Sequence, residues 1–354
     1  MQEKEIKKLT ETKTESEVRQ DTEQNAGQDA GQRITHKSVL LNETINGLEI
    51  SDGDVIVDMT LGNAGHTIGA IKSGAKKLKI IGIDADQSAI DQAKKNLNEI
   101  PEKNYQIFFE TSYFDQLAEI LEKNKIQKVD KFIFDLGFRS DQVDSAERGF
   151  SFMKDGPLDM SFSQNTTFDQ NTISGQKTDD STTTDSEKFR LNADIVVNEW
   201  SEESLADIIY GFGEETFSRR IAKAIVESRQ AKRIAKTTEL AEIIKQSVPF
   251  FYRRGKNHPA TKTFQAIRIA VNGELDRLKK ALPVAFEALN VDGRIAVISF
   301  HSLEDRIVKR FFKTKLAEEK LVQINKKPII ATREELLENP RSRSAKLRII
   351  KKIN

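Results

Sequence analysis

The chain has 354 residues, too many for one small core, and it reads as one large domain or two of ordinary size. Its net charge of +1 excludes a global basic field, so any nucleic-acid surface must be local. The absence of cysteine excludes disulfides, thiolate-bound zinc and a cysteine nucleophile, and no apolar run approaches the ~20 residues of a membrane span, so a cytoplasmic protein is expected.

Residues 1–33 are rich in Glu, Gln, Lys and Thr and predict a disordered tail. Order begins near His36-Lys37-Ser38-Val39-Leu40-Leu41, where Val39, Leu40, Ile45 and Leu48 suggest a packed helix. The apolar run Val55–Asp58 then reads as a buried parallel strand. It feeds a turn of small residues, Gly62-Asn63-Ala64-Gly65, and a helix to about Ser73. Glycines there let a ligand approach the backbone, and the free N–H groups of the helix point at the same place. Lys79–Asp84 is a second strand ending in an acid, the type of group that accepts hydrogen bonds from ribose hydroxyls. A helix over Gln87–Glu99, a strand over Tyr105–Thr111, a helix over Tyr113–Lys123 and a strand over Val129–Gly137 follow. Alternating strands and helices predict an α/β fold with a parallel sheet covered on both faces.

The next strand-like run, Gly293–Phe300, comes some 150 residues later, whereas a crossover needs only a dozen or so. Something is therefore inserted. From Ser161 to Arg190 the chain is dominated by Ser, Thr, Asn, Gln and Asp and predicts a flexible loop. Helices are expected over Ser201–Tyr210, Glu214–Arg229 and Thr237–Gln246, with Ser201 and Thr237 as N-caps. One long helix is expected over Pro259–Leu289, with Phe264, Ile267, Val271, Leu275, Leu278 and Leu282 facing a core and Pro283 ending or kinking it. Thr261, Gln265, Arg268 and Asn272 form a polar stripe on the same helix. After a helix over Ser302–Lys313, Val322–Ile330 and Ala345–Lys352 read as a final antiparallel pair. The last fourteen residues carry Arg341, Arg343, Lys346, Arg348, Lys351 and Lys352 and no acid, which suits phosphate contact or an ordinary basic terminus.

An open parallel sheet holds its ligand outside the carboxyl ends of its strands, near the first turn. Asp58, Gly62, Gly65, Asp84, Phe114 and Asp135 fall at or just beyond such ends and outline a nucleotide-like site. Two enzyme classes fit, an NAD(P)-dependent oxidoreductase and a transferase using S-adenosylmethionine. The turn lacks G-x-G-x-x-G spacing, which counts against a dinucleotide. A non-catalytic RNA-binding assembly factor is the third reading.

The chain resembles the bacterial 16S ribosomal RNA cytosine-N4 methyltransferases, the RsmH or MraW family. The pieces that carry the resemblance run from His36–Leu41 and the Asp58–His66 turn through Gly82-Ile83-Asp84, Asp135-Leu136-Gly137, Gln142-Val143-Asp144, Glu147–Phe152 and Asp155–Met160. They continue with Tyr210–Glu215, His258–Ala266, Ser299–Lys309 and Asn339–Arg348. The resemblance implies a Rossmann-like methyltransferase sheet with an inserted small helical domain. The methyltransferase domain would be residues 34–143 and 257–354, and the substrate domain residues 144–256 with the 161–190 loop inside it. It also implies S-adenosylmethionine as donor, a decoding-centre cytidine of 16S rRNA or the small ribosomal subunit as acceptor, and no membrane partner. Carried over by position, the cofactor contacts would be Ala64, Gly65, His66, Asp84, Phe114, Asp135 and Gln142. Asp135 and His301 are the catalytic candidates, and Gln265, Arg268, Asn272, Ser299, Arg343 and Arg348 the substrate-binding ones; no metal ligand is expected. The chain departs from the family pattern at Asn63-Ala64, where Gly-Gly or Arg-Gly is usual, and at Phe138–Asp141 and Ser161–Ser163.

Overall fold

The computed structural model describes residues 37–137, 146–163 and 191–353. The expected tail at 1–33, most of the 161–190 loop, and Gln142 lie outside the described residues.

A seven-stranded sheet forms the frame, in the order β3-β2-β1-β4-β5-β7-β6. Its strands are β1 (Val55–Asp58), β2 (Leu78–Asp84), β3 (Tyr105–Thr111), β4 (Val129–Asp135), β5 (Leu289–Ser299), β6 (Leu321–Gln323) and β7 (Lys346–Lys352). β1 to β5 are mutually parallel, and β7 runs antiparallel between β5 and β6. Side chains alternate across each strand, so one strand feeds two cores. Val57, Phe132, Phe134, Ile295 and Val297 face one core. It is closed by α4 (Leu117–Lys123), α11 (Glu274–Ala288) and α12 (Ser302–Ala317). Ile56, Ile133, Ala296 and Ile298 face the other core, closed by α1 (Leu41–Leu48), α2 (Gly65–Ile71) and α3 (Gln87–Asn98). The near-continuous apolar strands follow from burial on both faces.

Between β4 and β5 lies a third core with no strand in it. It is built by α5 (Ala193–Glu199), α6 (Glu202–Gly211), α7 (Ser218–Ala231), α8 (Thr237–Ser247) and α10 (Thr261–Asn272). The short α9 (Phe250–Arg253) adds Phe250 and Phe251 to the surface.

Several elements differ from expectation. The long helix over 259–289 is two helices: Gly273 takes φ 60°, ends α10 and starts α11. Phe264, Ile267 and Val271 of α10 serve the helical core, while Leu278, Leu282 and Phe286 of α11 serve the sheet. Pro283 sits inside α11, which continues to Ala288. The helix expected from Glu214 begins at Ser218, because Glu214 itself sits at φ 48°. Ser201 caps α6 by accepting from Ser204 N, as expected, whereas Thr237 is the first residue of α8. Its hydroxyl instead donates to Lys154 O and accepts from Gly156 N. The strand expected over Val322–Ile330 shrinks to β6, and Ile329 contributes only an isolated bridge to Leu347. The antiparallel terminal pairing is present. Helices α5 and α13 (Arg333–Glu338) were not anticipated. Among the described residues, no helix is long and apolar enough to cross a membrane.

Candidate active site

The strand order 3-2-1-4-5 brings five carboxyl ends side by side, and the strand-end residues of the sequence analysis gather there. The β1 turn is held at both sides. Met59 N donates to Ile133 O and Leu61 N to Ile83 O, which ties it to β4 and β2. Asp58 is buried and accepts from Thr67 Oγ1 at 2.7 Å and Thr60 N at 3.3 Å. Burial pushes its carboxyl above the usual range. Thr60 Oγ1 in turn accepts from Asp135 N at 2.7 Å, so the turn positions the end of β4.

Ala64 sits at φ 65°, in the left-handed region that costs a residue with a Cβ about 1–2 kcal/mol. This strain is the cost of having alanine where the resembling family has glycine. Gly65 is constrained differently: a Cβ there would lie 1.8 Å from Ser38 Oγ. The backbone of the turn is thereby pressed against Ser38, and no side chain caps the start of α2.

Asp84 closes the turn from β2. Its Oδ2 accepts from Gly62 N and its Oδ1 from Asp86 N, each at 2.9 Å. These two backbone bonds fix the orientation of the carboxylate at the end of β2. Phe114 opens the 3₁₀ turn after β3, half-buried and edge-on to Phe134 at 6.3 Å between centroids. The ring is thus braced against the core.

Asp135, at the end of β4, has no hydrogen-bond partner for its buried Oδ1 among the described residues. Its Oδ2 lies 3.7 Å from His66 Nδ1. The His66 ring places Nε2 3.1 Å from Val39 O, and a carbonyl only accepts, so Nε2 carries the hydrogen. Burial holds His66 below its ordinary pKa, and the neutral ring turns a lone pair toward Asp135. Asp135 accordingly holds its proton unusually well. Burial first, and the charge of Glu304 second, push its pKa up to about 7.

β5 supplies Ser299, buried, and the cap of α12, His301. His301 Nδ1 accepts from Glu304 N, while Glu304 Oε2 accepts from Phe300 N at 2.8 Å and from His301 N. The histidine is therefore first a helix cap, with Nε2 3.1 Å from Glu304 Oε1. Glu274, His301 and Glu304 offer three ligand atoms within 4.8 Å of one another. Glu274 is already bound at both oxygens by Arg268, each at 2.8 Å, while the buried His301 Nε2 makes no hydrogen bond among the described residues.

Of the polar stripe of α10, Gln265 and Asn272 reach neighbouring loops, while Thr261 is exposed and Arg268 pairs with Glu274. Gln265 Nε2 donates to Phe212 O at 2.9 Å. Asn272 is buried, donates to Met160 O and accepts from Phe162 N, each at 2.8 Å. These two hold the 210–215 and 155–162 segments in place. Arg348 is buried and paired with Asp305, while Arg343 is exposed in the 3₁₀ turn Pro340–Ser344. Two residues escaped the sequence reading. Arg148 reaches Asp86 Oδ2 at 3.3 Å and donates to Ser161 O and Phe162 O at 2.8 Å, joining the β2 loop to the inserted segment. Glu304 was readable as the acid of a capping box three residues after its cap.

The profile of the MraW methylase family matches residues 33–176 and 184–353. A Ribosomal RNA small subunit methyltransferase H from Clostridium botulinum (strain Kyoto / Type A2) is 44% identical over 334 residues, covering 90% of this chain and 99% of that protein. The protein of the same name from strain Loch Maree / Type A3 is 43% identical over the same length and coverage. A solved rRNA methylase from Streptococcus thermophilus aligns over 90% of this chain and 100% of its own at 10% identity and a TM-score of 0.38, too distant to support any inference.

Proposed function

Since this chain belongs to the MraW methylase family, we propose that it methylates N4 of a decoding-centre, P-site cytidine in 16S ribosomal RNA. The methyl donor is S-adenosylmethionine, whose sulfonium supplies an electrophilic methyl group. The strand-end residues suit this donor. Asp84 is a strand-end carboxylate of the type that accepts from ribose hydroxyls, Phe114 offers a ring braced on Phe134 for the adenine, and the Ala64–Gly65–His66 turn is assigned to the remaining part by family position. Gln142, by family position, is assigned to the same cofactor.

The observation that carries the reading is the unpartnered Oδ1 of Asp135 at the end of β4. The cytosine amino nitrogen is a weak nucleophile because its lone pair is delocalised into the ring. It needs in-line placement and an acceptor for its hydrogens as it pyramidalises. Asp135 is that acceptor, and His66 behind it sets the orientation. His301 and Ser299 line the acceptor side from β5, and the 144–256 segment forms the RNA-side unit. The cytidine leaves its stack to reach the site. An NAD(P)-dependent oxidoreductase fits the turn less well, for lack of the dinucleotide glycine spacing.

The test is mass spectrometry of the decoding-region fragment from small subunits incubated in the cytoplasmic pH range with the protein and S-adenosylmethionine. A gain of one methyl group on a single cytidine is expected. Binding of NAD(P) with no methyl gain would favour the oxidoreductase, and RNA association indifferent to S-adenosylmethionine, again without transfer, would favour a non-catalytic assembly factor.

A further inference from the structure

The Tyr210–Glu215 segment belongs to the resembling motifs but takes no part in the cofactor site. It leads from the end of α6 into a groove of about 320 Å³ against the start of α7. Tyr210 forms one wall and is 66% exposed, and Phe217 forms the other. Phe251, 72% exposed, extends the Phe217 wall edge-on at 6.4 Å, and Arg254 lies over the exposed ring of Phe250 at 4.4 Å. Large aromatics gathered on one surface mark a contact site.

The rim of the groove is basic. Arg219 and Arg220 line it and are exposed, and neither has an ion-pair or hydrogen-bond partner among the described residues. Both sit in the first turn of α7, where the helix dipole disfavours cations. Their charge serves something other than the helix. Asp207 on the same wall is an acceptor suited to an amino group rather than to a phosphate. Aromatic walls, a single acceptor and free guanidinium groups at the rim fit an unstacked nucleotide: bases stack on the rings and phosphates meet the arginines.

The groove also adjoins the reaction end of the sheet. Glu214, two residues before Thr216 of the groove, accepts from Ser302 Oγ at 2.6 Å and from Arg306 at 2.8 Å. Ser302 follows His301 directly. Two residues of chain span at most about 7 Å.

We propose that this groove holds a nucleotide of single-stranded RNA flanking the methylated cytidine, with its base against Tyr210 and Phe217 and its phosphates on Arg219 and Arg220. The inference rests on the RNA substrate proposed above.

The test uses the full chain and a short single-stranded oligoribonucleotide of decoding-region sequence, with binding measured across a salt series. Tyr210→Ala weakens binding about tenfold, and Tyr210→Phe restores it. The double change Arg219→Gln, Arg220→Gln lowers the slope of log affinity against log salt by about 1.4, for two single-strand phosphates. Calorimetric affinity for S-adenosylmethionine stays unchanged in all three. Affinity and slope equal to those of the unchanged protein overturn the groove assignment. So does weakened binding to assembled subunits with oligonucleotide binding intact, which would mean a protein contact. None of these readings requires methyl transfer. A protein that binds RNA through the groove and transfers no methyl group refutes the function and leaves the groove standing.

Discussion

Replacing Asp135 by Asn is expected to stabilise the protein while removing its activity. In the fold, the carboxyl holds its proton up to about pH 7, whereas the ordinary value is 3.8. The sign follows from the raised value. The folded state binds the proton more tightly, so stability falls as pH rises from about 4 to about 7, and the full penalty persists above 7. A shift of about three units corresponds to about 4 kcal/mol at 1.36 kcal/mol per unit. A quarter of the Asp135 side chain still meets solvent, so about half of that, ~2 kcal/mol, is the working figure. The Asn amide keeps the shape, carries no charge, and can donate to the His66 lone pair. At pH 8 the variant should therefore melt some 4 °C higher than the unchanged protein, at roughly 2 °C per kcal/mol for a chain of this size. Near pH 4 the two should nearly coincide, since Asp135 is then neutral in the fold and only partly ionised when unfolded. Scanning calorimetry at the two pH values is the assay. A difference of the same size at both, or a variant less stable at pH 8, would refute the argument that an uncompensated charge sits there.

The same ionisation should govern the rate: single-turnover methyl transfer should decline as pH falls through about 7, because protonated Asp135 is a much weaker acceptor than its carboxylate, and a flat profile between pH 6 and 8 would remove it from that role. Asp84→Ala deletes the acceptor that spans Gly62 and Asp86, and calorimetry should record at least a hundredfold weaker binding of S-adenosylmethionine with the fold retained. Gly149 combines φ 68° with a Cβ position 2.0 Å from Pro157 O, so Gly149→Ala should cost about 2–3 kcal/mol in denaturant unfolding. An unchanged midpoint would mean the 149–157 turn relaxes freely.

The parallel half of the sheet was legible because burial on both faces leaves long apolar runs, and its strand-end acids were legible because they terminate those runs. Asp84 and Asp135 needed no tertiary information. The break at Gly273 was hidden by the apolar stripe itself: Val271, Leu275 and Leu278 keep helical spacing straight across it, although they serve different cores. The Thr332-Arg333-Glu334-Glu335 start of α13 was a readable cap signal, but the helix buries no residue and so shows no stripe. Gln265 and Asn272 were legible as members of a polar stripe, yet they donate to carbonyls of distant loops. Spacing along one helix cannot reveal partners that lie 53 and 112 residues away. Arg148 shows the same limit, since its role depends on Asp86 and on the carbonyls of Ser161 and Phe162.

The insertion between β4 and β5 also bears on how the protein is made. During synthesis β1 to β4 emerge first, and the edge of β4 that will pair with β5 stays bare until about 150 more residues have been added. Phe132, Phe134 and the backbone groups beside them then form an open strand edge of the type that recruits other chains. The helical core between the two strands is complete only when α10 is, and α10 is joined to α11 at Gly273 alone. Folding of those helices draws the ends of the long excursion together and delivers α11 and β5 to the waiting edge. Loosening the insert, for example by Phe264→Ala in the core shared with α10, should then show itself as aggregation of newly made chains before any loss of melting temperature in the protein that does fold.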